Sequence, residues 1–410
     1  MVALAEARLA KIKIVRITTT VVNVPFVAPI RWSGGANADW TRLIVQMETD
    51  DGLVGIGETL GGATTKLLID TEIAPMFLGE NPFDIERMIS KATFVPLYYG
   101  KLGLCAFAAL EVACFDLMGK AAGLPVCRLL GGRLREEIPF AAYVYHRNSN
   151  SKGVGAVDTL DDVLARAEEL VAAHGFATIK YKGGVKTPGE EIEILRALRA
   201  RFPQALLRYD PQALYSPATA IRIGMAVEPL QLEYYEDPCW GNVAMARVRE
   251  RVRIPFATNM CIIDIDSAAE GIMLKSADVI LGDIFEWGGF TAMVKLKAAC
   301  EMFQINLNYH SAGELGIATA AYLHMAAATP ALPHALDTHA TELAGDIVKP
   351  GVIGLTSRGT MAVPQGPGLG VEIDEDLLAA AAEAHLRGGD KSVFAEDEAR
   401  CGTIPITSML

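Results

Sequence analysis

The sequence predicts an α/β fold, a modified (β/α)8-type TIM barrel joined to an N-terminal α+β capping domain that the C-terminal tail completes. Three observations carry this prediction. The chain has 410 residues, too many for one ordinary core. Through its middle, short apolar strands alternate with helical stretches at a spacing of roughly 25 to 30 residues, too tight for extra strands. Before that region lie β-branched runs and then a helical period. The expected division is 1–135 for the capping or lid domain, 136–340 for the catalytic barrel, and 341–410 for a segment packing back on the cap.

In order along the chain, residues 11–59 contain IVRITTTVVNVPF and TRLIVQMETDDGLVGIGET, two β-branched runs with a turn at Asp50, Asp51 and Gly52. Such runs predict a meander. From 64 to 132 the apolar period lengthens towards about 3.6 residues. There FAALEVACFDLMGKAAGLP predicts a helix whose apolar stripe ends at Gly123 and Pro125. The barrel strands read as AAYVY, TIKYK, LLRYD, LEYYED, PFATN, VILGD, NLNYH and ALDTH. Helices are expected between them, such as DTLDDVLARAEELVAAHG, acidic in its first turn and with Gly175 past its end. The tail from Ala340 is Gly- and Pro-rich, and DEDLLAAAAEAHL then predicts a helix.

A net charge of -12 and a pI near 5.2 argue against a nucleic-acid surface or an anionic membrane, both of which need a basic face. The seven cysteines (Cys105, Cys114, Cys127, Cys239, Cys261, Cys300, Cys401) form no C-x-x-C pair and mostly sit in apolar runs. Buried thiols in a reducing cytoplasm are the expectation. Glu6, Arg8 and Lys11 interrupt the opening MVALAEARLAKIKIV before a signal-peptide core develops, and no charge-free apolar run approaches a bilayer span. The glycines of GLVGIGETLGG do not meet the dinucleotide-binding spacing.

Barrel strands aim their C-terminal ends at one mouth, where active sites are built. Read in order, those ends carry Tyr143 and Tyr145, Lys180 and Lys182, Asp210, Glu236 with Asp237, Asn259, Asp283, His310, and Thr338 with His339. Asp210, Glu236 and Asn259 come from successive strands and offer only oxygen donors, a ligand set for a hard cation such as Mg²⁺ or Mn²⁺. Lys180 and Lys182 lie two apart and therefore share a face. Each ammonium should raise the cost of protonating the other, so that one becomes a base. On the far side of the strand order Asp283 can fix the tautomer of His310 and raise its basicity.

These segments resemble the mandelate racemase branch of the enolase superfamily and, within it, the glucarate dehydratase subgroup. The similarity runs through GLVGIGET, ALEVACFDLMGKAAGLPVCRLLGG, GFATIKYKGGV, RYDPQ, YYEDPC, FATNM and PGLGVEID, in the family's order. FATNM and EDPC are the segments most like glucarate dehydratase. The resemblance implies Mg²⁺ on Asp210, Glu236 and Asn259, acid/base roles for Lys182 and for His310 paired with Asp283, and Lys180 tuning Lys182 and touching the substrate carboxylate. It also implies proton abstraction beside a carboxylate followed by loss of water, giving a 2-keto-3-deoxy acid. Lysine or histidine bases working with Mg²⁺ on an enediolate are a known property of that superfamily and not a result of spacing. A racemase or epimerase on the same scaffold is the alternative, and a non-catalytic member kept as a subunit is a third reading. The expected partner is a small carboxylate, an acid sugar by the resemblance, bound by a homo-oligomer.

Several positions depart from the family. In RWSGGANADWTR this chain has Arg31 and Ala36 or Asn37 where the glucarate enzymes carry an asparagine and a histidine for the distal acid end. Gln212 replaces the usual asparagine after Asp-Pro, and the run after His310 becomes SAGEL, which brings Glu314 near the mouth. Arg31 and Arg147 are candidates for a distal carboxylate through bidentate pairing. Asn37, Tyr143, Tyr145, Gln212 and His339, with Thr338, are the remaining candidates for substrate contact. D-glucarate itself is therefore expected to be a poor substrate.

Overall fold

The computed structural model describes residues 9–391. The meander is present: β1 (Ile14–Trp32), β2 (Gly35–Thr49) and β3 (Val54–Leu60) pair antiparallel in the order β3-β2-β1. Gly52 turns the chain between β2 and β3 at φ +86°, a conformation that suits glycine. The glycines of VGIGET serve packing. A Cβ on Gly55 would fall 2.4 Å from the Ala113 carbonyl oxygen, and one on Gly57 would fall 1.9 Å from that of Ala109. The helix Val95–Ala122 can therefore lie against β3 only because both residues lack side chains. It kinks at Gly100 and ends at Gly123, where the apolar stripe was expected to stop. By length and hydropathy this helix could cross a bilayer, yet 83% of its apolar window is buried, which makes it the cap's core helix.

The next strands are β4 (Glu137–Pro139), β5 (Ala142–Val144), β6 (His146–Arg147), β7 (Thr178–Lys182), β8 (Leu206–Asp210), β9 (Tyr234–Glu236), β10 (Phe256–Thr258), β11 (Val279–Gly282) and β12 (Asn306–Tyr309). Seven of them, β5 and β7 to β12, form one curled parallel sheet in sequence order. The helix Leu160–His174 between β6 and β7 opens on a Thr159–Asp162 capping box and stops at Gly175, φ 69°.

The expected eighth strand, ALDTH, differs. Only Leu336 reaches ladder geometry, in a parallel bridge to Phe140, with Ala141 N–Leu336 O and Leu336 N–Pro139 O both 2.8 Å. Asp337 N meets Tyr309 O only at 3.5 Å. The Asp337 carboxylate is drawn to Lys180 and Arg208, and Thr338 Oγ1 turns back to accept from Ala340 N, which bends the segment out of register. The segment still fills the gap between β12 and the entry to β5.

The cap and the barrel interlock. The chain leaves β5 into β6, which pairs with β1 of the cap sheet through Ile30↔Arg147 and Arg31↔His146. Glu58 on β3 accepts from Leu315 N at 2.8 Å and Ala318 N at 2.9 Å, at the start of the barrel helix Gly316–Ala327. Glu111 likewise accepts from Phe290 N at 2.8 Å and Thr291 N at 2.9 Å, at the start of Phe290–Phe303. Burial pushes these carboxyls up, Glu58 to about 8 and Glu111 to about 7. After β13 (Thr360–Ala362), which pairs with β4, the helix Glu375–Gly388 packs on β1, and Asn23 Nδ2 donates to Gly389 O at 2.9 Å. Six cysteines are buried and free; Cys401 and the first eight residues of the opening segment lie outside the described residues.

Candidate active site

Alternation along β7 turns Lys180 and Lys182 inwards and Tyr181 outwards, where it stacks on Tyr209. The register Lys182↔Asp210 between β7 and β8 sets the next carboxylate beside the lysines. Lys180 Nζ lies 2.7 Å from Glu236 Oε1, 2.7 Å from Asp337 Oδ2 and 3.2 Å from Asp210 Oδ2. Lys182 Nζ lies 2.7 Å from Asp210 Oδ2. Beneath them Arg208 binds the other Asp337 oxygen at 3.0 Å. Burial alone would lower the Lys180 pKa, but Asp337, Glu236 and Asp210 outweigh it and hold the ammonium well above its ordinary value. The expected mutual depression of the two lysines thus fails at Lys180, because three carboxylates lie closer to it than any competing charge is shown to.

The oxygen set is assembled at the strand ends. Asp237, at φ 36°, accepts from Asn259 N at 2.9 Å and Met260 N at 3.2 Å and so holds the Asn259 turn. Gln212, at φ 53°, donates its backbone N–H to Asp210 Oδ1 at 2.9 Å. Left-handed backbone at non-glycine residues is strain of a kind that collects at functional sites. Glu236 Oε2, 2.6 Å from Lys180 Nζ, accepts no hydrogen bond, and Gln212 Oε1 is buried without a donor. The end of the Asn259 amide that faces the carboxylates lies 3.3 Å from Glu236 Oε1 and 3.0 Å from Asp237 Oδ2. With nitrogen there it donates to both; with oxygen there, oxygens converge as a hard cation requires. Burial and Asp210 push Glu236 well up, while burial is overcome at Asp210 by Lys182 and Lys180, which hold it far below the carboxylate range. Asp210, Glu236 and Asn259 therefore fit a divalent cation.

Across the barrel His310 Nδ1 lies 3.0 Å from Asp283 Oδ2. Asp283 Oδ1 accepts from Phe285 N at 2.7 Å and Glu286 N at 3.0 Å, which fixes the carboxylate. Burial works to lower the His310 pKa, but the Asp283 hydrogen bond and charge, aided by Glu286, raise it above 6.5. Asp283, Glu286 and His310 bring ligand-type atoms within 4.8 Å of one another. Asp283 is committed to His310 and two amides, however, and Glu286 pairs with Lys101 at 2.5 Å.

A cavity of about 320 Å³ opens above these groups. Lys182, Asn259, Gln212, Tyr143, Tyr145, His310 and His339 line it from the barrel; Trp32, Trp40, Arg42 and Lys101 line it from the cap. Lys180, Asp210 and Glu236 lie below this wall, fully or almost fully buried. Arg31, Asn37 and Arg147, expected at the substrate's far end, are elsewhere. Arg31 holds Asp158 at 2.6 Å within the β1–β6 seam, Asn37 accepts from Trp32 Nε1 at 2.6 Å, and Arg147 pairs with Glu342 at 3.3 Å. Arg42, buried on β2, does reach the cavity. It donates to Gly313 O at 3.0 Å, to Thr41 O at 2.8 Å and to Ala312 O, with its guanidinium 4.9 Å from the Trp40 ring. An arginine inside the apolar run RLIVQM was the available signal for it. Asp337, in ALDTH, shares the strand parity of His339, which is the signal in the sequence for its inward position.

An arched parallel sheet gathers lysine, carboxylate, amide and imidazole groups at its strand ends, and residues 162–377 of this barrel match the enolase C-terminal domain-like family. Residues 15–131 match the mandelate racemase / muconate lactonizing enzyme N-terminal domain. The chain belongs to the mandelate racemase / muconate lactonizing enzyme family of the enolase superfamily. It is 35% identical to a probable glucarate dehydratase of Streptomyces coelicolor, over 86% of this chain and 87% of that one. It is 27% identical to an N-succinyl-L-Arg/Lys racemase of Bacillus cereus, over 89% and 97% respectively. A solved enolase of Gibberella zeae, complexed with magnesium, formate and sulfate, superposes with a TM-score of 0.89 at 30% identity, covering 96% of this chain and 95% of its own.

Proposed function

We propose that the chain is a Mg²⁺-dependent acid-sugar dehydratase of the cytoplasm, with Mn²⁺ as a substitute ion, organised as a 1–135 cap, a 136–340 barrel and a 341–410 return segment. One observation carries this reading: Lys182 and His310 reach the same cavity from β7 and from the end of β12, with four strands between them, above the oxygen set. Asp210, Glu236 and Asn259 would hold the cation, whose charge stabilises the dianion formed when an α-proton leaves a carboxylate. Lys180, charged and buried, adds to that stabilisation. Of Lys182 and His310, one takes the α-proton and the other protonates the β-hydroxyl, which departs as water. The resulting enol tautomerises to a 2-keto-3-deoxy acid. Asp283 keeps a proton on His310 Nδ1, which leaves Nε2 for the exchange. Tyr143, Tyr145, Gln212 and His339 line the space for the rest of the acid. Six buried free thiols support a reducing compartment.

A racemase or epimerase is the second reading, because opposed bases can also return the proton to the other face and a relative bears a racemase name. A panel of acid sugars incubated with the protein and Mg²⁺, assayed for 2-keto product, tests the choice. Chelation should abolish turnover and Mg²⁺ restore it. Epimerised acid without 2-keto product would replace the dehydratase reading, and full turnover in excess chelator would remove the cation from it.

A further inference from the structure

A chain of hydrogen bonds runs from the cavity wall into the loop after β12. Tyr145 Oη lies 2.6 Å from His339 Nε2, His339 Nδ1 lies 2.7 Å from Ser311 Oγ, and Ser311 donates to Glu314 Oε2 at 2.5 Å. Glu314 Oε1 accepts from Ala312 N at 2.6 Å. All four side chains are buried, and Tyr145, His339 and Ser311 line the cavity. The loop is held from the cap. Arg42 grips Ala312 O and Gly313 O, and a Cβ on Gly313, φ +86°, would fall 2.2 Å from Trp40 Nε1, so the turn that folds Glu314 back onto Ser311 depends on that glycine.

Proton counting gives the chain a direction. Burial and Asp283 push the Glu314 carboxyl up, against the Ser311 hydroxyl and the Ala312 amide, both of which lie in donating geometry towards its two oxygens. In the ionised form that this geometry serves, Glu314 can only accept, so the single Ser311 hydroxyl proton goes to it. Ser311 Oγ then accepts from His339 Nδ1–H. Burial and the surrounding cations His310, Arg42, Lys182 and Lys180 keep His339 neutral. Its Nε2 therefore carries a lone pair and, at 2.6 Å, takes the phenolic proton of Tyr145 ahead of the neighbouring Tyr143 hydroxyl, which directs its own proton to Asp210 Oδ2 at 3.2 Å.

We propose that Ser311 and Glu314 act as positioning residues that lock His339 as the Nδ1–H tautomer, so that Tyr145 presents only acceptor lone pairs to the cavity and selects a substrate hydroxyl, not a second carboxylate, at that wall. This rests on the acid-sugar reading for its substrate class, while the tautomer stands independently of it. The substrate is then a polyhydroxy monocarboxylate in preference to a sugar diacid. A carboxylate facing those lone pairs would lose its hydrogen bonds and meet like polarity.

Two measurements on the full chain with Mg²⁺ decide the matter. In ¹⁵N-histidine spectra, with His339→Asn identifying the signal among seven histidines, His339 should be the neutral Nδ1–H form at pH 7.5. Glu314→Gln, whose amide oxygen must still serve Ala312 N, turns its NH₂ to Ser311 and should convert His339 to the Nε2–H form. An Nε2–H or doubly protonated His339 in the unaltered protein overturns the proposal. The second probe is a matched pair, D-gluconate and D-glucarate, which differ only in a terminal hydroxyl or carboxylate. Calorimetric titration should favour D-gluconate by roughly 10-fold or more, with the preference shrinking in Tyr145→Phe. Equal or reversed affinity overturns the hydroxyl selection. Absence of any 2-keto product would sink the dehydratase reading and leave both of these results intact.

Discussion

On the barrel floor Lys180 faces three carboxyl groups at 2.6 to 3.2 Å and Arg208 faces two, whereas in the roof Arg42 spends its guanidinium on three backbone carbonyls and Glu58 its carboxyl oxygens on two backbone amides. Side-chain partners can change when a cation or a substrate arrives. Backbone partners are harder to move: Thr41 O belongs to β2 and the Leu315 and Ala318 amides lie at a helix start, while Ala312 O and Gly313 O belong to the loop that Arg42 itself pins. The floor is thus built for redistribution of charge, and the roof for fixed shape. Chemistry should fail when the floor is altered, and selection or stability when the roof is.

The sharpest break comes from the two bases. Lys182→Ala and His310→Asn should each lower kcat by roughly 10²- to 10⁴-fold. Each variant should still exchange the α-proton of a suitable epimer in D₂O through the base that remains. Turnover at the unaltered rate in either would end the two-base assignment. A smaller effect is expected in the roof. Arg42→Lys keeps the charge but loses the planar fork, so kcat/KM should fall about 10-fold, chiefly through KM. A fall confined to kcat would show that Arg42 belongs with the floor.

Two pH effects sharpen the contrast further. Asp283 and Glu286 keep His310 charged above its ordinary 6.5, so Asp283→Asn should move the His310 limb of the pH–rate profile to lower pH. An unmoved limb would mean that His310 does not set it. Glu58 has a raised folded pKa. Its stabilising contribution is complete below about 4.5 and is lost as pH rises through about 8. Glu58→Gln should therefore flatten the fall of Tm between those limits, where each kcal/mol corresponds to about 1 °C in a chain of this length. Identical slopes would contradict the raised pKa.

The floor was readable in the sequence because strand parity is a local rule. K-x-K on one strand and single polar residues at later strand ends needed only the period of two to converge, and Lys180, Lys182, Asp210, Glu236, Asn259, Asp283 and His310 do converge. The roof was not. Arg31, Asn37, Trp40 and Arg42 all lie on β1 or β2, and which of them meets the cavity depends on how the cap docks, a relation between residues hundreds of positions apart. The irregular ALDTH was misread as a regular strand for a related reason, since its backbone yields to the claims of Lys180 and Arg208 on Asp337, both distant in sequence.

Glu58 and Glu111 also bear on how such chains can be recombined. The first turns of two barrel helices are completed by carboxyl groups that the other domain supplies. A lid transplanted from a relative without both acids would leave amide groups at each helix start with no acceptor in a dry seam, at a cost of about 1 to 3 kcal/mol for each one stranded. New specificities can therefore be written on the roof around Trp40 and Arg42, but the crossover has to carry Glu58 and Glu111 with them. The seam between cap and barrel is thus a pair of shared helix caps, and a lid can be exchanged across it only together with those two acids.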